Sequence, residues 1–194
     1  MVGNIMIDSL VMMTPAIRTE TAREDLGLVD KTYGVVTLHR PSNVDNPDVL
    51  ARLCQELTKI SKQTTLVFPV HPRTAKNLRE FGLYDILSDA PGIILTDPLG
   101  YKVFMNLIFG CKFVITDSGG IQEETTYLKI PCLTLRPNTE RPVTITQGTN
   151  KLSMPERIET DLKEVMKKDS KVPPLFWDGK TSKRVVEGMK GILC

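Results

Sequence analysis

Phe113-Val114-Ile115-Thr116-Asp117-Ser118-Gly119-Gly120-Ile121-Gln122-Glu123-Glu124 reads as a buried strand, a turn of small residues and the opening of a helix. Phe113-Val114-Ile115 is a short apolar run, β-branched at two positions, which suits a strand covered on both faces. Asp117 and Ser118 are good N-cap residues, and Glu123 and Glu124 fall in the expected first turn, where carboxylates favour the helix dipole. Gly119 and Gly120 leave the backbone open to close approach. A strand that ends in Ser-Gly-Gly and opens a helix offers unpaired N–H groups to an anion, commonly a phosphate. The same residues also suit a plain tight βα turn, and the stretch alone leaves both readings open.

Working outward, the same alternation recurs on either side. Gly34-Val35-Val36-Thr37-Leu38 predicts a first strand that runs into the polar loop His39 to Asp45, with Pro41 as its stop. Asn46-Pro47 opens a helix with Val49, Leu50, Leu53, Leu57 and Ile60 on one stripe. Thr65 to Val70 is a second strand, followed by His71-Pro72-Arg73 and a helix from Thr74 to Phe81. Ile93-Ile94-Leu95 is a third, and Tyr101 to Ile108 a mostly apolar helix ended by Gly110. Beyond the central stretch, whose helix reaches about Leu128, Pro131 to Leu135 predicts a fifth strand and Arg136 to Pro142 another polar loop. Ser153 to Arg157 begins a helix with Ile158, Leu162 and Val165 inward, Lys171 to Trp177 is a Pro-rich connector, and Thr181 to Leu193 is a terminal helix with Val185, Val186, Met189 and Ile192 on one side. At the front, Asn4 to Met13 has a helical pattern that Thr14-Pro15 is expected to end, and Arg18 to Lys31 reads as a short helix or a connector. Five strands alternating with helices call for an α/β fold, a doubly wound parallel sheet whose polar loops gather at one edge.

The 194 residues suffice for one full domain with appendages, and 41% hydrophobic with 25% charged residues is ordinary for a soluble globular protein. A net charge of +2 without a Lys/Arg stripe argues against a nucleic-acid surface. Cys54, Cys111, Cys132 and Cys194 lack metal-ligand spacing, and the first three sit in apolar runs as small buried hydrophobes. No apolar run approaches the ~20 residues that span a membrane and no signal peptide opens the chain, so a cytoplasmic location is expected. Neither G-x-G-x-x-G nor G-x-x-x-x-G-K-[ST] is present, which leaves a simple dinucleotide or P-loop assignment unsupported. His39 suits either a ligand contact or a turn held by backbone, Glu123 is expected to face solvent or cap its helix, Arg73 and Arg136 to make surface ion pairs, and Trp177 to be a packing anchor.

Taken together, Thr37-Leu38-His39-Arg40, Phe68-Pro69-Val70-His71-Pro72-Arg73, Thr116 to Glu124, and Asn138-Thr139-Glu140-Arg141-Pro142 with Gly148-Thr149-Asn150 resemble the non-hydrolysing UDP-N-acetylglucosamine 2-epimerases. Asp178-Gly179-Lys180 also resembles that family's ending. The resemblance implies a Rossmann-like domain that forms one half of a GT-B fold, the C-terminal, UDP-binding half. It divides the chain into a connector and first helix (1–30), the UDP-binding domain (31–178) and a terminal helix (179–194). The other half would hold the carboxylates for proton transfer at C2, so the chain alone is expected to show no turnover.

The roles that the resemblance implies fall on particular residues. His39 contacts the diphosphate and helps UDP leave, as the implied catalytic residue. Ser118, Gly119 and Gly120 form the diphosphate cradle, Glu124 takes the ribose hydroxyls, and Arg141 is a cleft arginine beside the phosphates. Phe104 lies beside the uracil, and the main chain around Leu99 reads its edge. Arg40 and His71 resemble residues that contact a second, regulatory UDP-N-acetylglucosamine in some bacterial members, although Pro41-Ser42-Asn43 departs from their pattern. No metal and no cofactor is implied. The implied partners are UDP-N-acetylglucosamine or UDP, an N-terminal domain or complementing subunit, and a second copy in a homodimer. A GT-B glycosyltransferase, a hydrolysing epimerase and a non-catalytic UDP-binding module are the rival readings.

Overall fold

The apolar runs of the sequence become the strands of a single parallel sheet. A computed structural model describes residues 1–168 and 172–193, with side chains as far as residue 190. The strands are β1 (Tyr33–Thr37), β2 (Thr65–Pro69), β3 (Ile93–Thr96), β4 (Phe113–Thr116), β5 (Cys132–Leu135) and β6 (Asn150–Ser153). Their spatial order is β3-β2-β1-β4-β5-β6, all neighbours parallel. The helices are α1 (Ile5–Arg18), α2 (Ala22–Asp25), α3 (Pro41–Val44), α4 (Pro47–Ser61), α5 (Pro72–Glu80), α6 (Tyr84–Ser88), α7 (Tyr101–Gly110), α8 (Gly119–Leu128), α9 (Val143–Thr146), α10 (Ile158–Val165) and α11 (Thr181–Leu193).

Successive strand residues point to opposite faces, so the sheet builds two cores. Val36, Leu66, Phe68, Phe113 and Ile115 join Leu50, Leu53 and Leu57 of α4 and Ile158, Leu162 and Val165 of α10 on one face. Tyr33, Val35, Val67 and Val114 join Leu10 and Ile17 of α1, Met105, Leu107 and Ile108 of α7, and Ile121 of α8 on the other. Burying each large aliphatic side chain contributes roughly 1.5–3 kcal/mol. Gly34 is required where β1 meets β4: it pairs with Phe113, and a Cβ there would overlap the Phe113 ring. The doubly wound Rossmann-like sheet is thus the expected one, with Cys54, Cys111 and Cys132 buried as small hydrophobes.

Several local expectations are corrected. Among the described residues the sheet has six strands rather than five. β6 is polar apart from Leu152 and lies at an edge, so no apolar run marks it, although Asn150 and Ser153 are buried. Side chains secure it: Asn150 Nδ2 donates to Gln122 Oε1 (3.1 Å) and its Oδ1 accepts from Thr134 Oγ1 (2.7 Å). α1 runs through Pro15 to Arg18 because the fully buried Ile17 must reach the core. Proline lacks the N–H for one helical bond, and packing outweighs that loss. The loop after β1 contains the short helix α3, and α5 begins two residues early with Pro72 at its first position and His71 as its cap. Val185, Val186 and Met189 of α11 are 38–54% exposed. Lys171, the side chain of Ile192 and Cys194 lie outside the described residues.

Candidate functional site

β1 and β4 are neighbours whose crossovers leave in opposite directions, to β2 and to β5. Their C-terminal ends therefore diverge, and open α/β sheets bind ligands in the crevice made there. A cleft of about 230 Å³ occupies this point, lined by residues that include His39, His71, Leu99, Phe104 and Ser118. Larger cavities of about 660 and 700 Å³ lie on the β3 flank and beside Trp177, and the second is lined in part by Glu123, Glu140 and Arg141.

Asp117, expected as an N-cap, does something else. Ser118 is the cap of α8, and it makes no side-chain capping bond. The Asp117 carboxylate is fully buried and turns back toward β1. It accepts from the N–H groups of His39 (3.0 Å) and Arg40 (2.8 Å) and from Asn43 Nδ2 (3.1 Å), and it lies 2.9 Å from His39 Nδ1. Burial alone would raise its pKa, but these hydrogen bonds outweigh it and hold the carboxyl below the ordinary carboxylate range. With Nδ1 committed to an ionised carboxylate, Nε2 of His39 is the nitrogen left for a ligand. His39 is thus held by its turn and faces the cleft at once.

α8 opens with Gly119 and Gly120, so its positive end carries no side chain of its own at its first two positions. Glu123 and Glu124 consequently sit one turn further along than expected. Glu124 is 3% exposed, and its Oε1 accepts from the Tyr101 hydroxyl at 2.8 Å. Burial pushes its carboxyl up to about 7 against the effect of that hydrogen bond, with the nearby Glu123 charge adding to the rise. Tyr101 is the first residue of α7, which also carries Phe104, so one helix both lines the cleft and engages Glu124.

The loop after β5 closes the other side. Gln122, fully buried, accepts from Thr139 Oγ1 (2.7 Å), and Thr139 Oγ1 in turn accepts from the Arg141 N–H (3.0 Å). Arg141 thereby comes to rest over the turn: a Cβ on Gly119 would lie 2.8 Å from Arg141 Nη1. Arg141 Nε lies 3.0 Å from Glu123 Oε2, so Glu123 is neither a cap nor solvent-facing. Arg136 is buried rather than on the surface and is bidentate to Glu140 (2.7 and 3.0 Å), whose carboxyl it pulls down to about 2. Arg73 pairs with Asp45 at the surface as expected, and Trp177 is buried.

The expected residues therefore gather unevenly. His39, Leu99, Phe104 and Ser118 share the cleft, with Gly119, Gly120, Glu124 and Arg141 around the first turns of α8. His71 is exposed, with its ring centroid 5.5 Å from that of His39, whereas Arg40 stays outside the cleft lining and donates from Nε to the Asp117 carbonyl (3.2 Å). Sequence reasoning missed Asp117 as the holder of His39, Gln122 as the clamp and Tyr101 as the partner of Glu124. Only the Asp-Ser order at a strand end hinted at the first. Among the described residues no His, Cys, Asp and Glu group could hold a metal, and no helix is long and apolar enough to cross a membrane.

Comparison with known proteins bears on this geometry. The UDP-N-acetylglucosamine 2-epimerase of Methanococcus maripaludis is 38% identical over 192 residues, 95% of this chain and 52% of that protein. The crystal structure of the Methanocaldococcus jannaschii UDP-GlcNAc 2-epimerase in complex with UDP-GlcNAc and UDP superposes with a TM-score of 0.86 at 35% identity, covering 97% of this chain and 54% of that one. The UDP-2,3-diacetamido-2,3-dideoxy-D-glucuronate 2-epimerase of Pseudomonas aeruginosa is 30% identical over 96% of this chain and 51% of its own length. The chain spans about half the length of the curated relatives it matches. The family model described as UDP-N-acetylglucosamine 2-epimerase matches residues 1–190. With that match across nearly its whole length, the chain belongs to the UDP-N-acetylglucosamine 2-epimerase family.

Proposed function

We propose that this chain is the UDP-binding, C-terminal half of a UDP-N-acetylglucosamine 2-epimerase, the half that stabilises the leaving group. The observation that carries this is the meeting, at the β1/β4 divergence, of the bare N-terminus of α8, Arg141 over Gly119, and His39 held by Asp117. In this reading the diphosphate rests on the N–H groups of Gly119 and Gly120 beside Ser118, where the helix dipole favours an anion. Glu124 accepts the ribose hydroxyls, for which a carboxylate offers several lone pairs. Uracil lies against Phe104, with its edge read by main chain around Leu99.

The implied reaction is anti elimination of UDP to a 2-acetamidoglucal, followed by re-addition with C2 inverted. As the C1–O bond breaks, charge develops on the β-phosphate. The α8 terminus, Arg141 and His39 Nε2 all face that charge, and preorganised groups of this kind lower such barriers most. The C2 proton also needs a positioned base. We assign that base to carboxylates of an N-terminal half, with residues 1–30 as the connector to it, residues 31–178 as the nucleotide domain and residues 179–194 as the terminal helix. Relatives acting on different sugars match the same chain, which is consistent with a nucleotide side common to both and a sugar side set elsewhere. Further parts of the proposal are a cytoplasmic location, a homodimeric whole protein, and a second nucleotide-sugar contact at His71 and Arg40.

Calorimetric titration of the chain with UDP, beside Ser118→Trp and Glu124→Ala, tests the reading. Saturable binding that both variants lose while keeping the wild-type circular dichroism is expected. Binding untouched by either substitution, or none at millimolar UDP, refutes the assigned site. Conversion of UDP-N-acetylglucosamine to its manno epimer by this chain alone refutes the division of labour.

A further inference from the structure

Arg141 stands between two carboxylates of different character. Glu123 is the inner one, its side chain 12% exposed, with Oε2 3.0 Å from Arg141 Nε. Glu140 is the outer one, 61% exposed and 3.5 Å from Arg141 Nη1, and it is already bound to Arg136. Glu123 Oε2 and Arg141 Nε are both buried without a hydrogen-bond partner, so charge is their mutual satisfaction. The other Glu123 oxygen is fixed as well: Oε1 accepts from Asn4 Nδ2 at 2.9 Å. Asn4 is itself immobilised as the N-cap of α1, where its Oδ1 accepts from the Met6 N–H at 2.9 Å. The guanidinium thus presents its Nε edge to Glu123 and its Nη1 end to Gly119. The same Nη1 also faces Glu140, so a carboxylate stands at each end of the guanidinium while Nη1 lies over the turn.

We infer that Glu123 is a positioning residue for the diphosphate: braced by Asn4, it holds the Arg141 guanidinium over the Gly119 turn. This rests on the reading of that turn as the diphosphate site. A long arginine side chain loses several rotamers when it is fixed, so an arginine already held gives more binding per contact than one that must first be ordered. Glu123 therefore acts on phosphate recognition through Arg141, with no ligand contact of its own.

The test compares the affinities of UDP and uridine, by calorimetry, for the wild-type chain, Glu123→Gln, Arg141→Ala and the double variant. Glutamine keeps an oxygen for Asn4 and removes the charge that Arg141 faces. Glu123→Gln is expected to lower UDP affinity about tenfold, the size of one charge-assisted hydrogen bond, and to leave uridine affinity unchanged. On the Arg141→Ala background the same substitution is expected to cost nothing more. Equal losses for UDP and uridine, no loss for UDP, or additive losses in the double variant would overturn the inference. A wild-type chain that does not prefer UDP to uridine would instead remove the diphosphate reading of the turn, and this inference with it, so the two failures are distinguishable.

Discussion

Replacing Glu124 by Gln should stabilise the protein at high pH while weakening its ligand. The carboxyl is buried, and its pKa rises from 4.5 to about 7. The folded chain therefore keeps a proton that the unfolded chain releases as pH climbs through that window. Stability falls as pH rises wherever the folded state binds more protons. At about 1.4 kcal/mol per pH unit, the window removes about 3 kcal/mol of wild-type stability by pH 8. Glutamine has the same shape, can accept from the Tyr101 hydroxyl and carries no charge to desolvate. Any cost of its new N–H groups is the same at every pH. The difference in stability between Glu124→Gln and wild type should thus grow by about 3 kcal/mol between pH 4 and pH 8. For a domain of this size that corresponds to a relative gain in Tm of about 6–12 °C. Thermal unfolding of both proteins at the two pH values measures it. A difference that does not change with pH would refute the reasoning that Glu124 is buried at a cost. The gain should come with weaker UDP binding, the mark of a group kept in an unfavourable place for function.

Asp117→Asn places an amide donor against the N–H groups of His39 and Arg40, and should cost roughly 3 kcal/mol of stability by denaturant titration. Because the folded pKa of Asp117 is depressed, its contribution is present above the ordinary carboxylate value and is lost as pH falls through the folded value, so the variant should lose part of the wild-type acid sensitivity. Gly119→Ala should fold normally, since the atom its Cβ meets is the end of a flexible side chain, yet it should weaken UDP binding at least about tenfold by displacing Arg141 and blocking the turn. Gly34→Ala should be the opposite case. Its Cβ would meet Phe113 Cζ at 2.6 Å and Leu66 Cδ2 at 3.0 Å in a packed core, for a loss of roughly 1–3 kcal/mol seen as a lower urea midpoint.

The parts of the fold that were legible are those whose signal is local. Apolar runs marked β1 to β5, and the stripe Leu50, Leu53, Leu57, Ile60 marked α4. β6 was hidden because its place depends on the Asn150 side chain reaching Gln122 and Thr134, residues distant in sequence. Pro15 misled because a local rule about proline lost to the burial of Ile17 two residues later. In the site, the residues at strand ends were visible one loop at a time. Their mutual arrangement was not, since it depends on β1 and β4 being neighbours despite β2 and β3 lying between them in the chain. Asp117 was mistaken for a cap for the same reason: a carboxylate at a strand end looks identical whether it faces its own helix or the next strand's histidine. Glu123 was misjudged because its partners, Asn4 and Arg141, come from the far front of the chain and from a loop beyond the next strand.

Gly119 and Gly120 are the same letter side by side, and they would age differently under random mutation. A side chain at Gly119 meets Arg141, whereas one at Gly120 meets nothing within 4 Å. Since the N–H groups belong to the main chain, no substitution except proline can delete them. Drift can only crowd them. A lineage selected for folding alone would therefore fill position 120 early, at no cost to its thermal stability. A lineage that still needs an anion at the turn would hold both glycines. The pair records whether the site is in use, and the second glycine is the more informative of the two.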